Sequence, residues 1–286
     1  MPKIFRALFP RHLTDPLLQQ AVLAEEIARV RSEIGRDMPE NLLLNGYKIY
    51  SQTDEDGIIE AIFERIGGGS TFVEIGSGNG TENNTHALLL KGWRGVWVDG
   101  RADRIAFVRS EVGPSRDLLA EQAFVTRENV ASLLEGWLDS LGTREIDFFS
   151  LDIDGNDLHV LSAALGVFHP RVICVEYNAK FPPPVEVCIE YDPEHAWSGD
   201  DYHGASLSAF VSALSPLGYT LVTCNISGAN AFFVATALAS RFTLYEPARL
   251  FQPSRFHLCA LESGHKPSLK FLRDALQKRE ALRKRA

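Results

Sequence analysis

Glu74, Gly76, Gly78 and Asp99 are the first residues in this sequence whose types and spacing suit them for chemistry. They lie in Thr71-Phe-Val-Glu-Ile-Gly-Ser-Gly-Asn-Gly80 and in Gly95-Val-Trp-Val-Asp99. The first apolar run breaks into glycines at alternate positions, and the second ends in a carboxylate. Without a Cβ, glycine lets the backbone turn tightly and come close to a ligand. An acid about 20 residues past such a turn is where a doubly wound fold holds a ribose. The pair of motifs therefore points to an adenosine-containing cofactor, although a tight strand-to-helix turn without a ligand would also use the glycines. Asn83 and Asn84 can cap a helix beginning near Thr85, with Asn84 as a further cofactor contact.

A second group sits where later apolar runs end: Asp152 and Asp154 after Ile146-Asp-Phe-Phe-Ser-Leu, and Glu176 with Asn178 after Arg171-Val-Ile-Cys-Val. Asp152 and Asp154 are two apart, so on a strand they share one face. Three readings are open. In one, Asp152 or Asp154 holds the cofactor's amino group while the other takes a proton from a substrate hydroxyl. In another, Asp154, Glu176 and Asn178 hold a hard divalent cation such as Mg²⁺, which lowers the pKa of that hydroxyl. In the third, the carboxylates cap the helix near Asp157 or pair with Arg171. His203, titrating near neutrality, is a further candidate base, and a structural histidine is the alternative.

Charge distinguishes the adenosine cofactors. The dinucleotide fingerprint is G-x-G-x-x-G/A, with a helix N-terminus facing a pyrophosphate. Here the spacing is G-x-G-x-G, Thr81 occupies the third small position, and Glu74 adds negative charge where a pyrophosphate would sit. S-adenosylmethionine carries a sulfonium and an ammonium and no phosphate, so it fits better. A nicotinamide-dependent oxidoreductase and a non-catalytic binding module are the alternatives.

These residues need a scaffold that gathers strand ends. Strand and helix patterns alternate over 71–75, 83–91, 95–99, 102–111, 122–125, 130–140 (capped by Asn129), 146–154, 157–165 and 171–177. They close with Tyr219–Cys224 and Ala231–Ala235, joined by a short antiparallel connection. The expectation is an α/β fold: a doubly wound, seven-stranded, mostly parallel sheet with a C-terminal antiparallel hairpin. Residues 1–45 form a helical appendage in which Leu23, Ile27, Val30 and Ile34 repeat at helical spacing. It docks on its own domain, covers the site or pairs in a homodimer. Residues 46–240 form the main domain, whose helix over 54–66 stops at Gly67 and whose turn holds Gln52, a possible ligand contact. Within that domain 178–206 is too long for a simple connection and rich in aromatics, which suggests a substrate lid leading to a helix from Gly204. Residues 241–286 form a C-terminal extension.

Tyr50-Ser-Gln-Thr-Asp-Glu-Asp-Gly57, Phe72-Val-Glu-Ile-Gly-Ser-Gly-Asn-Gly80 with Glu82-Asn-Asn-Thr85, and Leu151-Asp-Ile-Asp-Gly155 together resemble the FkbM-type methyltransferases of the class I, Rossmann-like fold. The resemblance covers about Tyr50 to Val234. It implies S-adenosylmethionine-dependent O-methylation of a sugar or natural product, with Glu74, Gly76, Gly78 and Asp99 as cofactor contacts. The chain has Asp152-Ile-Asp154-Gly155 where many members have Asp-x-Glu-Gly, and a Pro-rich segment follows Glu176-Tyr-Asn178.

The 286 residues, 45% hydrophobic and 23% charged, are enough for a full core. Four cysteines without C-x-x-C spacing read as small core residues in a reducing compartment rather than a thiolate metal site. No apolar run approaches a membrane span and no secretory leader pattern opens the chain, so a cytoplasmic location is expected. The net charge of −8 conceals a segregation: residues 265–286 hold eight Lys or Arg and two acids, a net of +6, leaving −14 elsewhere. Such a body repels nucleic acid, and a small-molecule acceptor is the expected partner. The basic tail reads as a solvated helix, or else as a contact for a membrane surface or polyanion.

Overall fold

The computed structural model describes residues 15–262 and 264–285; the first fourteen residues of the N-terminal segment lie outside the described residues. The elements run in order α1 (Pro16–Asp37), α2 (Glu55–Ile66), β1 (Thr71–Ile75), α3 (His86–Leu90), β2 (Arg94–Asp99), α4 (Ala102–Val112), β3 (Leu118–Gln122), α5 (Val130–Leu141), β4 (Phe148–Leu151), α6 (Asp157–Leu165), β5 (Val172–Glu176), α7 (Leu207–Leu214), β6 (Tyr219–Cys224), β7 (Asn230–Ala235), α8 (Pro247–Leu250) and α9 (Lys270–Arg283). Seven strands form one sheet in the order β3-β2-β1-β4-β5-β7-β6. All pairs are parallel except β5–β7 and β6–β7. The doubly wound, mostly parallel α/β sheet with its C-terminal hairpin is thus the one expected.

Alternation along the strands builds two apolar layers. Val73, Ile75, Val96, Val98, Phe149, Leu151 and Ile173 face α5, α6 and α7 through Leu134, Leu138, Val160, Leu161 and Phe210. Phe72, Trp97, Phe148, Val172 and Cys174 face α2, α3, α4 and α9 through Ile58, Ile62, Leu89, Val108 and Leu272. A smaller cluster of Val30, Leu43, Ile226 and Leu258 seats α1 on its own chain. The chain winds outward in opposite directions from β1 and β4, so the crevice beyond their carboxyl ends is where this architecture leaves room for a ligand.

Several boundaries differ from the sequence expectation. β3 covers Leu118–Gln122 rather than 122–125, because Leu118 to Gln122 is the stretch that pairs with Gly95 to Asp99. As an edge strand with one fully buried residue, it carries little hydrophobic signal. β4 stops at Leu151, so Asp152 and Asp154 sit on a loop instead of a strand face. α3 begins at His86 rather than near 83, since residues 83–85 turn onto Glu74. α7 begins at Leu207, capped by the Ser206 side chain. Asn129 precedes α5 without capping it; its Oδ1 accepts from the Thr126 amide. The basic tail is docked, not solvated: Leu269, Leu272 and Leu276 are buried, and Arg279 donates to the carbonyls of Leu89 and Leu90. Cys174 and Cys224 are core residues, while Cys188 is exposed and Cys259 half-buried. Among the described residues no helix is long and apolar enough to cross a membrane.

Candidate functional site

At the exit of β1 the chain passes through Gly76 with φ of 90°, and a Cβ there would lie 1.7 Å from the carbonyl oxygen of Asp152. Glycine is thus required by close approach of the β4 exit as well as by the dihedral. The next amides are taken up inside the fold. Those of Gly76 and Ser77 donate to the Val98 carbonyl at 2.8 and 3.0 Å. That of Gly78 donates to Asp99 Oδ2 at 3.0 Å. Asp99 also accepts from the Arg101 amide and from Arg104 Nη1 at 3.0 Å. The adjacent helix, α3, starts only at His86. No helix N-terminus therefore meets the glycines, and these three amides do not form the donor nest that a pyrophosphate requires.

Glu74 stands behind this loop, almost wholly buried. Its carboxylate accepts from Asn83 Nδ2, the amides of Asn84 and Thr85, and the Thr85 hydroxyl, which in turn accepts from Trp97 Nε1. Burial raises its pKa to about 7 against the pull of those donors. The side chain of Asn84 crosses to Ser150 Oγ and Cys174 Sγ instead of capping α3. Glu74 and Asn84 thus shape the loop from behind. His86, which the sequence reading passed over, is wholly buried between Tyr50, stacked at 3.5 Å, and the edge of Trp97. Burial lowers its pKa to about 4, so the neutral ring donates from Nδ1 to the Gly80 carbonyl at 2.8 Å. The sequence signal for it was available: a histidine two residues past Asn84, in the segment that must turn back under the glycines.

The exits of β4 and β5 are arranged differently. Asp152, Asp154 and Glu176 each present a carboxylate oxygen, all within 4.8 Å of one another. Asp154 has φ of 57°, the one positive value at a non-glycine among the described residues, a conformation costing about 1–2 kcal/mol. Asp157, at the start of α6, holds the loop open by accepting from the amides of Ile153 and Gly155, both at 2.9 Å. Asp152 keeps part of its surface open to solvent beside the packed β4 exit. Desolvation first, then Asp157, Asp154 and Glu74, push its pKa well up. Desolvation likewise raises Glu176, with Asp152 and Asp157 adding to it. Glu176 Oε2 is buried without a hydrogen-bond partner and lies 4.0 Å from His203 Nδ1. Burial lowers the pKa of His203 despite the acids around it, so it stays a neutral acceptor at pH 7.

Two expectations change here. The Asn178 side chain is engaged by the lid: its Nδ2 donates to the carbonyls of Asp201 and His203, and its Oδ1 accepts from the Lys180 amide. The acidic trio is completed by Asp152 instead. Arg171 pairs with Asp147, not with these acids. The segment 178–206 is closed on itself by the Asn178 bonds and the Cys188–Ala205 bridge, and is fastened to the body where the Asp192 carbonyl accepts from Asn156 Nδ2 at 2.7 Å and the Ile189 carbonyl meets His159 Nε2 at 2.9 Å, with Trp197 and Tyr202 exposed on it. Trp197 meets the His203 ring edge-on at 5.9 Å, and His195 lies directly over Gly155.

No family model and no curated protein matches the chain. Among solved structures it is similar to the N-terminal domain of EvdMO1 with SAH bound, at 16% identity over 74% of this chain and 94% of that one, with a TM-score of 0.40. Similar too is CalS10, an amino pentose methyltransferase from Micromonospora echinaspora, at 11% identity over 64% and 90% with a TM-score of 0.40. An O-methyltransferase family protein from Burkholderia thailandensis gives 10% identity over 79% and 61%, also at 0.40. Likeness at this level assigns neither a family nor a substrate.

Proposed function

We propose that this chain is an S-adenosylmethionine-dependent methyltransferase of the FkbM type, transferring the methyl group to a hydroxyl of a sugar or glycosylated small molecule. The observation that carries the reading is the glycine loop. It turns its amides onto Val98 and Asp99 rather than outward, and no helix dipole stands behind it. That arrangement gives a pyrophosphate no purchase, while acids at three strand exits suit a ligand that carries a sulfonium and an ammonium. Asp99 is at the end of β2, where a ribose would be held, and Asp152 is at the crossing from β1 to β4, where it can meet an ammonium.

S-adenosylmethionine supplies an electrophilic methyl on a sulfonium, so attack by an acceptor oxygen breaks the S–CH₃ bond, leaves both electrons on sulfur and requires loss of the hydroxyl proton. His203, neutral and beside Glu176, is placed to take that proton, with Glu176 steadying the imidazolium formed. Asp154 orients the hydroxyl from the loop Asp157 holds. The all-oxygen trio Asp152, Asp154 and Glu176 also matches the donors a hard divalent cation prefers, and such an ion would lower the hydroxyl pKa. The lid aromatics Trp197 and Tyr202 offer faces for a sugar ring.

Calorimetric titration with S-adenosylhomocysteine beside NAD⁺, with and without Mg²⁺, tests this. Micromolar binding of the first alone, about −8 kcal/mol, is expected. Binding of NAD⁺ instead overturns the assignment, and loss of all methyl transfer in chelator selects the cation over His203 as the source of the alkoxide.

A further inference from the structure

The basic tail docks on the acidic body through one face of its helix and leaves the opposite face outward. α9 buries Leu272 and Leu276 against α3 and α4. Its outward stripe carries Phe271, Lys278 and Leu282, spaced seven and four residues apart and thus on one helical face, and Arg285 follows just past its end. Phe271 is 74% exposed and Leu282 57%. Three arginines of this helix are engaged: Arg279 and Arg283 with Asp117, and Arg273 with Asp274. Lys270, Lys278, Lys284 and Arg285 have no ion pair among the described residues. Beside them a groove of about 590 Å³ runs between the 112–116 loop and α9, with Arg116, Gln277 and Lys284 along it; Glu280, which also lines it, bonds Arg283 and the Arg116 amide.

We propose that the outer face of α9 seats the protein on an anionic lipid bilayer. Phe271 and Leu282 stand about 16 Å apart along the helix with a lysine between them, so they do not make the continuous apolar patch a protein partner needs. They suit an interface into which isolated apolar tips can dip while flanking cations meet lipid phosphates. The groove gives a headgroup a concave place beside Lys284. The net negative charge of the remaining chain favours turning this face toward an anionic surface. The inference is independent of the methyl-transfer reading.

The full chain is sedimented with phosphatidylcholine vesicles, with and without phosphatidylglycerol. Binding to the anionic vesicles alone is expected, fading as salt shortens the screening length. K270E/K278E/K284E is expected to weaken it about tenfold or more. F271S/L282S is expected to weaken it while leaving the salt dependence in place. All five side chains are exposed, and circular dichroism verifies that both variants fold. Equal binding to neutral vesicles, no binding to either, or an unaffected triple variant overturns the proposal. Binding of single-stranded DNA through the same lysines, with vesicles ignored, overturns it in favour of a polyanion site.

Discussion

The ends of β1 and β2 and the ends of β4 and β5 stand side by side, and their polar groups are treated in opposite ways. On the first side Glu74 accepts four hydrogen bonds and Asp99 three, from backbone and side chains of their own neighbourhood. On the second, Asp152, Asp154 and Glu176 crowd together, one residue is held in a left-handed conformation, and Glu176 Oε2 has no protein partner. Fully paired buried groups define a shape. Strained, unpaired and mutually repelling ones persist where the surrounding fold over-determines them, and their clustering at functional sites is what supports the proposed centre.

The largest test of this contrast is at the second side. Glu176→Gln and His203→Ala are each expected to lower methyl transfer by about a hundredfold or more while S-adenosylhomocysteine still binds; unchanged turnover removes them from the chemistry. On the first side the cost falls on the fold. Gly76→Ala drives a Cβ into the Asp152 carbonyl and is expected to destabilise by about 3 kcal/mol or more in urea melts. Gly78→Ala, with open space at its Cβ but φ of 60°, is expected to cost about 1 kcal/mol. A ratio near one between them would show that the dihedral, not the contact, sets the requirement.

A smaller effect tests the pairing itself. Glu74 and Asp54 titrate at about 7 in the fold, above their usual 4.5 and 3.8, because burial disfavours their charge. The native state therefore binds more protons than the unfolded chain between those values, and stability falls as pH rises from about 4 to 7, then levels off. Denaturation midpoints at pH 5 and 8 measure that fall, and Glu74→Gln is expected to shrink it. Of comparable size to Gly78→Ala, Asn178→Ala leaves two lid carbonyls without their donor and is expected to cost about 1 kcal/mol in all, since both can turn to water. Cation affinity is expected to be unchanged; a loss would return Asn178 to the ligand set.

Much of the scaffold was legible because glycines, apolar runs and a short hairpin connection are local signals. The strand exits were found for the same reason: Asp99, Asp152, Asp154 and Glu176 each follow an apolar run. What those residues do was not legible, since it depends on partners far away in the chain. Nothing near Glu74 in sequence says that residues 83–85 will fold back onto it. Nothing beside Asn178 says that it will face lid carbonyls rather than carboxylates. The tail was misread because the exposed Leu282 breaks the pattern; Leu269, Leu272 and Leu276 recur three and four residues apart on one face, and that face is the one buried against α3 and α4.

The contact between Gly76 and the Asp152 carbonyl ties the two sides into one rigid gauge. Main chain meets main chain there, so the separation between whatever rests on the glycine loop and whatever rests on the β4 exit is set without any side chain that substitution could lengthen or shorten. Under the proposed reaction, reach is inherited with the backbone while taste resides in the lid, and new acceptors can be explored by altering the lid around Trp197 and Tyr202, away from His203, with the alignment left intact.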